Sequence, residues 1–281
     1  MKNDLRIAAV VCRCPVAQVA RNLDRTRHWT SRAKKSGAAL VCFPEMNLTG
    51  YSNRKQIVAH AIRVEGPEVE ALRRMAAEEE ICLLIGFAEK ARDERVYASH
   101  MVIAPDGRTG VYRKLHLAPP ETKHFIPGDS LPVFNWSGLR FGIQLCYDAH
   151  FPEITTRMAE AEADVIFIPH ASPRGLAKDK HQSWMRHLPA RAFDNGLFVV
   201  ACNQTGENGS GLTFPGNAVV FSPSGEIIAT RLSGASGLLI ADLTADRLHH
   251  VRNHRMRYFF PNRRPDLYRR ETVINELDNR S

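Results

Sequence analysis

Three side chains in this sequence have the type and placement that chemistry at a carbonyl carbon needs: Glu45, Lys114 and Cys146. Each sits at or just past the end of a run that reads as a β-strand. Glu45 follows Val41-Cys42-Phe43-Pro44, Lys114 follows Val111-Tyr112-Arg113, and Cys146 follows Gly142-Ile143-Gln144-Leu145. In α/β sheets functional side chains concentrate at the carboxyl ends of strands, because strands fix geometry while the loops open a cleft. A carboxylate can take a thiol proton, the thiolate can attack, and an ammonium can hold the negative charge that develops on oxygen. Each residue also has a plainer reading. A cysteine in an apolar strand is commonly a small buried hydrophobe, which is how Cys12, Cys42, Cys82 and Cys202 are read. Glu45 could cap a helix, and Lys114 could be a solvated edge charge.

The elements that would position these groups are legible from periodicity. Residues 5–12 form a β-rich run too short for a helix, whereas 16–35 keep a helical period that stops at Gly37. Residues 39–43 and 81–88 are strands of the buried type, and between them Pro67 opens a helix whose apolar face is Val69, Leu72, Met75 and Ala76. From 96 to 145 the texture is that of hairpins: 96–104 and 109–113 flank the turn Pro105-Asp106-Gly107, and 139–145 is a further strand. Helical spacing returns at Ile154, Met158 and Ala161, followed by a strand at 165–168. Trp184, Leu188 and Ala192 fit one face of a helix over 179–195, and 197–201 is a strand. Val219-Val220-Phe221 and Ile227-Ile228 flank the turn Ser222-Pro223-Ser224-Gly225. No linker, repeat or low-complexity tract divides the chain. The expectation is one α/β domain over 1–281, with two mixed sheets and helices outside.

Composition narrows the function classes. The chain has 281 residues, 44% hydrophobic and 24% charged, which excludes disordered, collagenous and small disulfide-framework proteins. Its six cysteines are too sparse for a disulfide framework, and no signal peptide or membrane-length apolar run is present. The expectation is a cytoplasmic protein with reduced thiols. The excess of 38 basic over 30 acidic residues gives +8, thin through the body and denser from Arg252 to Arg270. A basic solvated surface is the simpler reading than a nucleic-acid footprint, which needs the charge clustered with aromatics. His249, His250 and His254 hold one i, i+4 pair but no third ligand, so no metal is expected. Gly206, Gly209 and Gly211 lack the lysine and hydroxyl of a phosphate cradle and fit a loop at a site's mouth.

The residues around the three strand-end groups resemble a known family. Phe43-Pro44-Glu45-Met46-Asn47-Leu48-Thr49-Gly50-Tyr51 looks like the glutamate segment of the nitrilase superfamily of carbon–nitrogen hydrolases. Tyr112-Arg113-Lys114-Leu115-His116-Leu117 resembles its lysine segment, and Leu145-Cys146-Tyr147-Asp148-Ala149-His150-Phe151-Pro152-Glu153 its nucleophile segment. Matching pieces extend from about residue 5 to about 242, leaving a C-terminal arm over 243–281.

The resemblance implies an α-β-β-α sandwich that dimerises, a catalytic triad of Glu45, Lys114 and Cys146, and no metal or organic cofactor. It implies that Glu121, seven residues after the lysine, holds Lys114 and positions substrate, and that the Tyr147 backbone N–H completes an oxyanion hole. Tyr51, His150, His170 and Arg174 are expected as further substrate-positioning residues. The implied reaction is hydrolysis of an amide or N-carbamoyl compound through a thioester. The Tyr147-Asp148 pair resembles amidase- and carbamoylase-like relatives, whereas true nitrilases typically carry Trp-Glu there. Carboxylate-gripping relatives carry arginines three and four residues after the cysteine, where this chain has Ala149 and His150. The substrate is therefore expected to carry no carboxylate near the scissile bond, so that a short neutral amide is preferred over its ω-carboxylated analogue, although Arg174 could supply a carboxylate clamp from another direction. Two rival readings are a nitrilase acting on a nitrile with the same triad, and a catalytically silent interaction or nucleic-acid-binding protein on the same fold. The dimer is expected to use the helices over 152–162 and 179–195 and the C-terminal arm.

Overall fold

A computed structural model describes residues 1–268. The later part of the C-terminal arm, with Arg269 and Arg270, lies outside the described residues.

Two six-stranded mixed sheets pack face to face. In the first, β1 (Leu5–Val11), β2 (Leu40–Cys42) and β3 (Cys82–Lys90) run parallel. The antiparallel strands β4 (Val96–Ile103) and β5 (Thr109–Arg113) extend it beyond β3. The second sheet repeats that plan. A hairpin of β6 (Val133–Trp136) and β7 (Leu139–Ile143) leads into parallel β8 (Val165–His170) and β9 (Phe198–Asn203). After a small hairpin of β10 (Thr205–Glu207) and β11 (Thr213–Pro215), the antiparallel β12 (Ala218–Phe221) and β13 (Ile227–Arg231) close it. β14 (Gly237–Leu243) returns to the free side of β1 in the first sheet.

The layers follow from side-chain alternation. Along β1, Ile7, Ala9 and Val11 join the core between the sheets, while Ala8 and Val10 join a second apolar cluster on the outer face. A strand buried on both faces must be apolar at every position, and this explains why the run shows no polar alternation. The outer cluster is closed by helices α1 (Val19–Lys35) and α3 (Pro67–Glu78), with short α2 (Gln56–Ala59) between them in the chain. Helices α4 (Pro152–Glu160), α5 (Ala177–Trp184) and α6 (Leu188–Asn195) follow β7 and β8 and belong to the second sheet's half. Helix α7 (Ala245–Arg252) and the single turn α8 (Pro265–Tyr268) follow β14. The architecture is the expected α-β-β-α sandwich.

Two helical expectations differ from the structure. The single helix over 179–195 is two helices, because Pro189 lacks an N–H and its ring would collide with the carbonyl four residues back. It is accommodated only in the first turn of a new helix, α6. α7 ends at Arg252, so His254 lies beyond the helix on which it would pair with His250. Among the described residues no three His, Cys, Asp or Glu side chains gather in a metal-holding group. No described helix is long and apolar enough to cross a membrane.

Candidate active site

Glu45 stands on a tight turn after β2 that is fastened to β3. Asn47 Oδ1 accepts the Gly86 N–H at 2.9 Å, Thr49 Oγ1 accepts the Ala88 N–H at 3.0 Å, and Leu48 N donates to Gly86 O at 3.0 Å. A Cβ at Gly86 would lie 2.4 Å from Met46 N, so only glycine lets the turn sit this close. Gln204, just past β9 in the other sheet, donates to the Glu45 carbonyl at 2.8 Å. The Glu45 carboxylate is fully buried. Its Oε1 accepts from Lys114 Nζ at 2.8 Å, and its Oε2 accepts the Ala171 N–H at 2.8 Å.

Lys114 follows β5 and is buried to its ammonium, which donates to Glu45 at 2.8 Å and to Glu121 Oε1 at 2.9 Å. Glu121 is held in turn by the Tyr51 hydroxyl at 3.0 Å and the Ala118 N–H at 2.8 Å. One ammonium therefore serves two buried carboxylates, leaving a surplus negative charge at a buried site. Burial first, with the Glu121 charge adding and Lys114 opposing, pushes the Glu45 carboxyl up to about 7. Burial alone would lower Lys114, but Glu45, Glu121 and Cys146 outweigh it and hold the ammonium well above its ordinary range.

Cys146 opens a short 3₁₀ turn (Cys146–His150) beyond β7 and adopts φ +44°, a left-handed conformation costly for a residue with a side chain. The fully buried Asp148 braces this elbow. Its Oδ2 accepts the Leu145 N–H at 3.0 Å and the Tyr112 hydroxyl at 2.8 Å, and its Oδ1 accepts the His116 N–H at 2.8 Å. Tyr112 and His116 flank Lys114 in sequence, so one carboxylate ties the lysine segment to the thiol segment. Burial, then the Glu45 charge, pushes the Cys146 thiol up to about 12, so the resting sulfur is a neutral thiol. Tyr147 lies in the first turn of the 3₁₀ helix, where backbone N–H groups precede any helical acceptor.

Lys114, Glu121, Cys146, Tyr147, Tyr51, His150 and Arg174 line one pocket of about 340 Å³. Leu212, beside Gly211, contributes to the same wall, so the glycine-rich loop does border the mouth. Glu45 lies behind Lys114. His170 is not in the lining: its ring is buried 4.5 Å from the Trp184 ring. Burial and nearby cations keep it neutral, and neither ring nitrogen has a partner among the described residues. Asp148, Gln204 and the Ala171 N–H are site groups that the sequence reading did not single out. The other five cysteines are buried away from the pocket.

With that geometry in hand, the chain can be set beside known proteins. The sequence model for carbon-nitrogen hydrolases matches residues 6–253. The chain belongs to the carbon-nitrogen hydrolase family. It is 31% identical to an (R)-stereoselective amidase of Pseudomonas sp. over 211 residues, 74% of each chain. It is 30% identical to a probable nitrilase of Schizosaccharomyces pombe, covering 94% of this chain and 97% of that one. Among solved structures, a cysteine-to-alanine variant of the amidase from Nesterenkonia sp. AN1 in complex with butyramide superposes with a TM-score of 0.79. That protein is 29% identical, with 95% of this chain and 97% of that one covered. The protein is thus a hydrolase of the nitrilase superfamily.

Proposed function

We propose that this hydrolase cleaves a non-peptide C–N bond of an amide or N-carbamoyl compound through a thioester on Cys146, releasing ammonia or an amine. The observation that carries the reading is the Lys114 ammonium held at 2.8 and 2.9 Å between Glu45 and Glu121 in the pocket of the thiol. An amide is a poor electrophile with a poor leaving group. It needs a strong nucleophile, charge stabilisation at oxygen and proton delivery to nitrogen. Glu45 accepts the Cys146 proton as sulfur attacks, and Lys114 with the Tyr147 N–H holds the oxyanion. Burial holds the thiol above the carboxyl, so the resting proton sits on sulfur and Glu45 is free to accept it. Protonated Glu45 then gives its proton to the departing nitrogen, and water activated by the same carboxylate releases the acid. Tyr51 and Glu121 keep Lys114 in place, with no cofactor in the scheme. The named amidases among the relatives support C–N hydrolysis, and a glutamate-to-leucine variant of the Nesterenkonia amidase with the acetamide moiety of fluoroacetamide added at its active-site cysteine supports a nucleophilic cysteine.

Ammonia release measured over short amides, N-carbamoyl compounds and the matching nitriles tests the reading. Amides or carbamoyl compounds should turn over, and a clear preference for the nitrile would overturn it. The pH profile is a second readout. Glu45 must be unprotonated to accept the thiol proton, so kcat/KM should rise with pH through an apparent value of about 7. No alkaline limb from Lys114 is expected below about pH 10. A flat profile from about pH 5 to about pH 9 would remove Glu45 as the base.

The same reading includes a homodimer formed through α4, α6 and the segment after α7. Phe193 on α6 and Phe259 are both exposed, with ring centroids 5.4 Å apart, and Leu267 and Tyr268 are exposed nearby in the chain. Exposed large apolar side chains gathered on one segment are commonly covered by a second copy. Light scattering at micromolar concentration should report twice the chain mass, and a monomer would contradict this.

A further inference from the structure

One part of the pocket wall carries positive charge that no carboxylate among the described residues neutralises. Arg174 lines the pocket beside Ser172 and Pro173, and its guanidinium has no ion-pair partner among the described residues. Its backbone is fixed rather than loose. It holds φ +76°, and its N–H donates to Thr213 O at 3.0 Å, tethering the loop to β11. Such conformations persist where the surroundings over-determine them, and they cluster at ligand contacts. Behind Ser172, the half-buried Lys180 donates to Ser172 Oγ at 2.6 Å and likewise has no carboxylate partner among the described residues. The neighbouring acid, Asp179, is already used: its Oδ2 accepts the Leu176 N–H at 3.0 Å and caps α5. Among the lining residues the only carboxylate is Glu121, committed to Lys114, Tyr51 and Ala118. His150, also in the lining, is kept uncharged by burial and by Arg191 and Lys180, so it neither adds to nor cancels this charge.

We infer that the substrate carries a carboxylate remote from the scissile carbonyl, received by Arg174 with Lys180 behind it. The inference rests on the amide-hydrolase reading for its scissile bond and goes beyond it in naming the far end of the substrate. Arg174 is exposed at the pocket mouth. A guanidinium grips a carboxylate through two parallel charge-assisted bonds, while an ammonium-ended substrate would meet repulsion at the same wall that salt weakens. Beside the scissile carbon the chain offers no guanidinium at the positions three and four residues after the thiol, which are Ala149 and His150.

The test compares valeramide, glutaramate and ω-aminovaleramide, which share a chain and differ in the charge of the far end. Binding to the Cys146→Ala chain is measured by isothermal titration, and kcat/KM is measured on the intact chain. Glutaramate should bind at least about 10-fold more tightly than valeramide, with ω-aminovaleramide weakest. Adding Arg174→Gln should erase most of that ratio, Arg174→Lys should retain part of it, and added salt should shrink it. Glutaramate binding no tighter than valeramide would overturn the inference, as would a preference that survives both Arg174→Gln and Lys180→Met. Tight, Arg174-dependent binding of glutaramate without turnover of any amide would sink the hydrolase reading instead. Turnover of valeramide with no gain for glutaramate would spare that reading and sink this one.

Discussion

Cys146→Ala should abolish ammonia release from every amide tested, by at least about 10⁴ in kcat, and leave the chain folded. The loss is total in kind, because without the sulfur there is no acyl-enzyme to form, and Lys114 and Glu45 are left to polarise a carbonyl that nothing attacks. Folding should survive because the thiol is not what holds the elbow. The turn is braced by Asp148, whose carboxylate engages the Leu145 N–H, the Tyr112 hydroxyl and the His116 N–H, all of which remain in the variant. Alanine keeps a Cβ at φ +44°, so the backbone strain is the same before and after. Mass spectrometry after brief iodoacetamide treatment should show one rapid adduct on the intact chain and none on the variant. Cys146 lines the pocket and is only partly buried, whereas Cys12, Cys14, Cys42, Cys82 and Cys202 are buried, so access to the reagent should make those five label slowly in both. Full activity in Cys146→Ala would end the triad.

The contrast between Cys146 and Asp148 shows what a local sequence pattern can display and what it cannot. Glu45, Lys114 and Cys146 are legible because each ends an apolar β-run, a local pattern visible within a few residues. Asp148 is next to the nucleophile in sequence, yet its role consists of contacts to Tyr112 and His116, more than thirty residues earlier. No local pattern announces a tertiary contact of that span. The Ala171 N–H on Glu45 is harder still, since backbone donors are the same in every residue. His170 shows the opposite error. It closes β8 one residue before Ala171, and a strand-end histidine suggests a cleft, but the chain turns there so that the ring packs on Trp184 and the neighbouring amide faces Glu45. Within the fold, β1 and β3 are plain because both faces are buried. The β14 strand, Gly237–Leu243, alternates buried with more open positions and follows a glycine- and serine-rich turn, which hides it among loop residues. Pro189 carries its own message, and a stricter reading of proline would have split the helix over 179–195.

Lys114→Gln should lower kcat by at least about 10², the scale of one lost oxyanion donor, with a smaller change in KM. Glu121→Gln should also slow the reaction, and the two variants should separate by the direction in which they move the acid limb. Lys114 pulls the Glu45 carboxyl down and Glu121 pushes it up. Removing the ammonium leaves two buried carboxylates without their shared cation, so Glu45 holds its proton more tightly and the limb should move above about 7. Removing the Glu121 charge leaves Lys114 to Glu45 alone, so the limb should move below that value. A merely structural role for either residue would lower activity without displacing the limb, and circular dichroism of both variants checks that the fold is kept. Unchanged rates in both would take the oxyanion role from Lys114 and the positioning role from Glu121. Limbs displaced in the same direction would mean that the charges do not act on Glu45 as the geometry requires. The opposite shifts follow from the stoichiometry of the site, in which one ammonium is shared by two carboxylates at 2.8 and 2.9 Å, so that either change alters what remains for Glu45.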